Sequence, residues 1–261
     1  MSTQSAQTNQ SNEVKMTHFE QVGEFHDTFG HPQRTEPFMI MFETKDGEKL
    51  INFRYSLMDE ELKEFNTAYK NNDLVEMADA LCDLSYVTNG AGHCIGLNLD
   101  QIMKQKCIDI SSPSGLKAIK TLGEREIDII ELSVLLIDVL IKQFKQSAYL
   151  MAFRYGDNVP SDKFYELGVT LAEIQETVYY LGHSLGFDMD RMFREVHRSN
   201  MTKVCSNMDD ANESVKIYEK EGRYKKPSIK TKGKYFVVYD AETSKILKNY
   251  KWENPNLKQF F

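Results

Sequence analysis

Carboxylates recur at helical spacing in two short runs: Glu60, Glu61 and Glu64 in EELKE, then Glu76, Asp79 and Asp83 in EMADALCD. With Glu60 at the origin and about 100° per residue, Leu57, Met58, Leu62, Phe65, Ala68 and Tyr69 form an apolar stripe between about 60° and 200°. Glu61 falls at about 100°, inside that stripe, and Glu64, at about 40°, borders it. Lys63, Asn66 and Lys70 take the opposite face. A carboxylate turned toward a core is costly unless a cation or hydrogen bonds compensate. The second run supplies more of the same sign, with Glu76, Asp79 and Asp83 at i, i+3 and i+7 on one face. Two such helices packed antiparallel would bring these acids together. Like charges at that density drive protonation or unfolding, whereas a hard divalent cation converts the cluster into an oxygen cage. The expectation is Mg²⁺, with Mn²⁺ as an alternative. Singly, each acid has a plainer reading, as a solvated helical side chain or, for Glu76, as the N3 partner of a cap at Asp73. The joint pattern carries the metal reading. A di-iron bundle would need E-x-x-H pairs, which the sequence lacks.

The elements that must position these acids are helical. The chain has 261 residues, 41% hydrophobic and 27% charged, enough for a substantial core without disulfides or metal staples. A net charge of −7 and a pI near 5.5 argue against stable nucleic-acid binding or an anionic membrane and favour a small substrate. Cys82, Cys94, Cys107 and Cys205 form no C-x-x-C pair, so reduced thiols in a cytoplasmic setting are expected. The long apolar stretch Ile127 to Ile141 carries Asp128, Glu131 and Asp138, which speaks for a packed helix and against a membrane span.

Periodicity from about Met16 to Lys203 predicts an all-α antiparallel helix bundle. Residues 1–15 read as a disordered tail, 16–205 as the all-α domain and 206–261 as a basic extension with a β-hairpin. Ser56 with Asp59 has capping-box spacing, predicting a helix from Leu57 to about Lys70. Asp73 should cap the next, running to about Ala91. Further helices are expected over Glu124 to Tyr155, Asp162 to Leu185 and Met189 to Val204, with Ser111 to Gly123 as a linker. The hairpin is predicted from Tyr235 to Asp240 and Lys245 to Trp252, joined by Ala241 to Ser244. A shift of 90 residues superimposes Gly92, His93, Gly96 and Asp100 on Gly182, His183, Gly186 and Asp190. This predicts a degenerate internal duplication, with units at about 16–110 and 124–205. Glu166 and Glu173 align with Glu76 and Asp83, but Val169 replaces Asp79 and no E-E-x-x-E precedes it, so one complete cage per chain is expected. His93 and His183 read as C-terminal helix caps.

EELKE followed by EMAD resembles the signature of the all-α nucleoside triphosphate pyrophosphohydrolase superfamily, which includes the MazG-like and phosphoribosyl-ATP pyrophosphohydrolase-like proteins. DALCDLSYVTNGAG resembles its second metal helix, FREVHRSNMTKV its downstream substrate-binding segment, and KILKNYKWENPNL the lysine-containing tail of one MazG-like branch. The resemblance implies Mg²⁺-dependent cleavage between the α and β phosphates of a nucleotide, giving a monophosphate and pyrophosphate. It implies Glu61, Glu64, Glu76 and Asp79 as metal ligands and Glu60 as the residue orienting or deprotonating water. Asn200 and Lys203 become nucleotide contacts, Arg54 and Asp83 further substrate contacts, and Arg198 and Lys248 weaker phosphate candidates. The favoured substrate is a deoxynucleotide. Alternatives are phosphoribosyl-ATP, or a catalytically silent nucleotide-binding or assembly module. The duplication leaves a monomeric pseudo-dimer or a homodimer.

Overall fold

Apolar residues at three- and four-residue intervals, punctuated by capping side chains, give eight α-helices among the residues that the computed structural model describes, which are 15–37, 45–107, 128–156 and 158–261. They are α1 (His18–Phe29), α2 (Lys45–Lys70), α3 (Leu74–Ile95), α4 (Leu99–Gln105), α5 (Ile129–Tyr155), α6 (Ser161–Ser184), α7 (Met189–Met201) and α8 (Met208–Glu221). Strands β1 (Pro227–Lys232) and β2 (Tyr235–Asp240) pair antiparallel, and a 3₁₀ turn, Leu257–Phe260, follows near the end of the chain. Thr17 and Glu20 close a full capping box on α1. Asp73, Asn98, Asp188 and Asn207 each accept the amide three residues on, fixing the starts of α3, α4, α7 and α8.

The main core lies where α3 and α6 cross, with α2 packed on α3, α5 on α6, and α2 against α5. The short helices exchange sides: α4 lies on α6 and α7 on α3. The 90-residue relation is legible in atomic detail. Ser85 and Gln175, equivalent under the shift, bond each other, Ser85 Oγ to Gln175 Oε1 at 2.7 Å and Gln175 Nε2 to the Ser85 carbonyl at 2.8 Å. The amides of Leu97 and Phe187 donate to the carbonyls of Gly92 and Gly182, both at 2.9 Å. Ile51, Met58 and Leu62 of α2 are buried, as are Ile141, Ala148 and Ala152 of α5. At the start of α1, Thr17 donates to Asp100 and His18 meets Asp190, so this helix is anchored to both equivalent acids.

Three expectations change. Ser56 does not start a helix: its hydroxyl donates to the Phe53 carbonyl at 2.9 Å within α2, which continues upstream to Lys45. Tyr235–Asp240 is a strand, but its partner is the upstream Pro227–Lys232, across a two-residue turn with Gly233 at φ 56°. Lys245 to Trp252 contributes only an isolated bridge, Ile246 to Tyr239. The predicted linker Ser111 to Gly123, residues 124–127 and residues 1–14 lie outside the described residues.

The segment after β2 is strapped to the end of α7. Asn249 Nδ2 donates to the carbonyls of Thr202 and Val204 at 2.6 and 2.8 Å, and Trp252 Nε1 to that of Ser199 at 3.2 Å. A small second core of Cys205, Ala211, Val238 and Leu247 holds α8 and the hairpin beside it. No helix among the described residues is long and apolar enough to cross a membrane.

Candidate active site

The antiparallel pair α2 and α3 faces its acids toward one another. Glu61 is half-buried, and burial, followed by repulsion from Asp83, Glu64, Glu60 and Asp79, pushes its carboxyl up to about 9. Burial, then Asp83 and Glu76, raises Asp79 to about 7, against the pull of Lys248. Glu64 is raised by burial and Glu60, and Asp83 by burial despite the opposing influence of Lys203 and Lys248. One carboxylate oxygen of Asp79 is buried with no hydrogen-bond partner among the described residues. A buried acceptor in that condition is costly, and a cation relieves both it and the mutual repulsion.

Lysines approach this cluster from the other half of the chain. Lys203, just beyond α7, donates to Asn200 Oδ1 at 2.5 Å, and burial lowers its pKa in spite of Asp83, Glu61 and Asp79. The strap brings Lys245 Nζ to 3.8 Å from Glu60 and places Lys248 over the Trp252 ring, 3.3 Å from its centroid. Burial and Lys203 lower Lys248.

Glu60, Glu61, Asp83, Asn200, Lys203 and Lys245 line a cavity of about 160 Å³. Its far wall is aromatic, formed by Phe25, Phe53 and Tyr86, with Arg54, His26 and His31 beside it. Arg54 is 5% exposed and donates to Cys94 Sγ at 2.9 Å, while its Nε has no partner among the described residues. It fits because position 90 is glycine: a Cβ there would stand 2.9 Å from Arg54 Nη1. Burial, then the Arg54 charge, lowers His26 to about 2 and His31 to about 3, so both are neutral. Tyr86 is buttressed by His197 at 3.0 Å, which meets Glu24 at 3.1 Å.

Glu60, Glu61, Glu64, Asp79, Asp83, Asn200, Lys203 and Arg54 thus share one region, and the influence of Glu76 on Asp79 and Glu64 puts it at the edge. Arg198 is engaged by other partners: it pairs with Glu195 at 2.8 Å and Glu253 at 2.5 Å, tying the strap to α7. His93 is not a helix cap, since its ring stacks on Phe19 and its Nε2 bonds the Phe19 carbonyl at 2.8 Å. Sequence reasoning missed Lys245 and the wall made by Phe25, His26 and His31. The cluster HDTFGHP around His31 was the only local signal for the latter.

Among the described residues, no three His, Cys, Asp or Glu side chains stand close enough together to hold a metal ion as they are. The donor set nevertheless suits a hard cation: it is all carboxylate, partly withdrawn from water, and includes the unpartnered Asp79 oxygen.

The model of the phosphoribosyl-ATP pyrophosphohydrolase family matches residues 22–105, a span holding α2, α3 and all of the clustered acids. Asn200, Lys203 and the strap lie outside it. An uncharacterized protein of Acanthamoeba polyphaga mimivirus is 30% identical over 253 residues, covering 95% of this chain and 97% of that protein. No solved structure matches. The match identifies residues 22–105 as a domain of the all-α MazG-like pyrophosphohydrolase superfamily, which supports a pyrophosphohydrolase-type hydrolase in general.

Proposed function

We propose that this chain hydrolyses a nucleoside triphosphate between its α and β phosphates, with Mg²⁺ or Mn²⁺, to a monophosphate and pyrophosphate. The observation that supports this reading best is the apposition of mutually repelling carboxylates, Glu61, Glu64, Asp79 and Asp83, with Lys203, Lys245 and Lys248. One side suits a divalent cation and the other a polyphosphate. Glu61, Glu64, Glu76 and Asp79 would hold the cation, which when bound supplies charge neutralisation to phosphate oxygens and a more acidic water. Glu60, exposed and paired with Lys245, orients the attacking water and takes its proton as the water oxygen bonds to phosphorus and the bridging bond breaks. Lys203, held by Asn200, and the two strap lysines stabilise the charge that moves onto the phosphates.

The cavity of about 160 Å³ is smaller than the roughly 300 Å³ at which drug-sized ligand pockets begin, so it suits one end of a nucleotide rather than the whole. Its aromatic wall suits a base, which leaves the phosphates at the lysine side. Deoxynucleotides are the first substrates to test. Phosphoribosyl-ATP is the second reading, favoured by the name of the family whose model matches. Pyrophosphate release from dUTP, dCTP, dATP and phosphoribosyl-ATP, each with Mg²⁺ and with EDTA, separates these readings. Release from none of them, or release that survives Asp79→Asn, would sink the proposal.

A further inference from the structure

The 90-residue relation leads to a second cavity, of about 590 Å³, between α5 and α6. Its lining includes Leu150, Met151, Arg154, Glu166, Val169 and Glu173. These stand 90 residues after Glu60, Glu61, Glu64, Glu76, Asp79 and Asp83. Lys106, just beyond the end of α4, also lines this cavity, although it is not the 90-residue equivalent of Lys203. By the 90-residue offset the second cavity is the counterpart of the acidic site between α2 and α3, with its chemistry exchanged.

That exchange has a definite sense. Methionine replaces Glu61, arginine replaces Glu64 and valine replaces Asp79, so three of the four oxygen donors for a cation are gone and Glu166 alone stands in the place of a ligand, Glu76. Where the first site has a carboxylate to attract positive charge, the second carries the charge itself, as the Arg154 guanidinium. Among the lining cations, Lys163 is neutralised by Glu166 at 2.5 Å. Arg154 and Lys106 have no carboxylate partner among the described residues, and Arg154 rests over the Tyr155 ring, 5.4 Å from its centroid. A guanidinium presents paired donors that match phosphate oxygens, and it needs no metal to do so. Leu150, Met151, Tyr155 and Val169 supply an apolar wall, and Glu173 an acceptor for hydroxyl or amino hydrogens. The volume lies inside the roughly 300–1,000 Å³ of small-molecule sites.

We infer that the cavity between α5 and α6 is a metal-independent binding site for a nucleoside phosphate, distinct from the hydrolytic site, with Arg154 and Lys106 holding the phosphate. The test is calorimetric titration of the full chain with nucleoside mono- and triphosphates in excess EDTA, with inorganic phosphate as a parallel probe. The expected result is one site per chain, weakened about tenfold or more by Arg154→Gln and by Lys106→Gln and unchanged by Glu61→Gln. Arg154→Lys should retain part of the affinity, and a urea midpoint within error of wild type shows that each variant is folded. No binding in EDTA, binding that Glu61→Gln weakens while Arg154→Gln does not, or inorganic phosphate binding as tightly as the nucleotides would each overturn the inference. The readout involves neither metal nor turnover, so it stands or falls independently of the hydrolytic reading.

Discussion

Replacing Glu61 with glutamine removes a carboxyl whose ionisation the fold opposes, without changing the side chain's shape, and the consequence depends on pH. In the folded, metal-free chain the Glu61 carboxyl is held at about 9 instead of its ordinary 4.5. A group whose folded pKa is raised stabilises the fold below its unfolded pKa, and that contribution is lost as pH rises. At pH 8 the unfolded chain gains ionisation over about three and a half units that the folded chain forgoes, at about 1.36 kcal/mol per unit, close to 5 kcal/mol in all. Part of that repulsion is shared with Asp83, Glu64 and Asp79, so the effect of the single substitution is smaller, about 3 kcal/mol. Near pH 5 it shrinks to under about 1 kcal/mol. Urea unfolding of wild type and Glu61→Gln in EDTA at pH 5 and pH 8 measures this directly: the variant should be more stable at pH 8 and nearly equal at pH 5. Added Mg²⁺ should then stabilise wild type and leave the variant almost unmoved. A variant no more stable than wild type at pH 8 in EDTA, or an equal Mg²⁺ response in both, would refute the reasoning.

The neutral His26 and His31 have the opposite dependence. Their folded pKa values of about 2 and 3 lie below the ordinary 6.5, so their contribution is complete above about 6.5 and falls by about 1.36 kcal/mol per unit each as the medium acidifies. The double substitution His26→Gln with His31→Gln should flatten the plot of urea midpoint against pH between 6 and 4; an unchanged slope contradicts the burial argument. Lys248→Gln and Lys245→Gln should raise KM for the triphosphate about tenfold with a smaller change in kcat, while Lys251→Gln, whose lysine pairs with Asp210 at 2.8 Å, should leave both unchanged. Steady-state kinetics decide. Gly96 and Gly186 share φ near +77° and +80°, but a Cβ at Gly96 would stand 1.9 Å from the Glu36 carbonyl oxygen, and one at Gly186 would meet nothing within 4 Å. Gly186→Ala should cost about 1 kcal/mol and Gly96→Ala several times that in denaturant melts. Equal costs would show that the contact with Glu36 is unimportant.

What could be read from the chain was what neighbouring residues encode. Asp73 and the i, i+3, i+7 spacing of Glu76, Asp79 and Asp83 announce both the start of α3 and its acidic face, and the structure keeps both. The matching glycines of the 90-residue pattern correspond to a shared local geometry, Gly96 and Gly186 both following a helix at positive φ. Ser56 misled because the same hydroxyl that caps a helix can bond back to the carbonyl of Phe53 inside one. The partner of β2 was misassigned because Pro227–Lys232 is polar and lysine-rich, and its burial is only partial. Lys245 and the His26–His31 wall depend on tertiary approach, through the strap and α1, which no local spacing reports. The second cavity needed the structure as well. The matched burial of Ile51 with Ile141, Met58 with Ala148 and Leu62 with Ala152 carries the 90-residue register back into α2 and α5.

The central claim, cleavage at the α–β linkage by the α2–α3 acids, is tested most directly by the products of one reaction. Anion-exchange chromatography after incubation of the full chain with a deoxynucleoside triphosphate and Mg²⁺ should yield monophosphate and pyrophosphate in equal amounts, with no diphosphate. Both products should vanish in Glu61→Gln. Nucleoside diphosphate with inorganic phosphate, or turnover undiminished in that variant, would contradict the account.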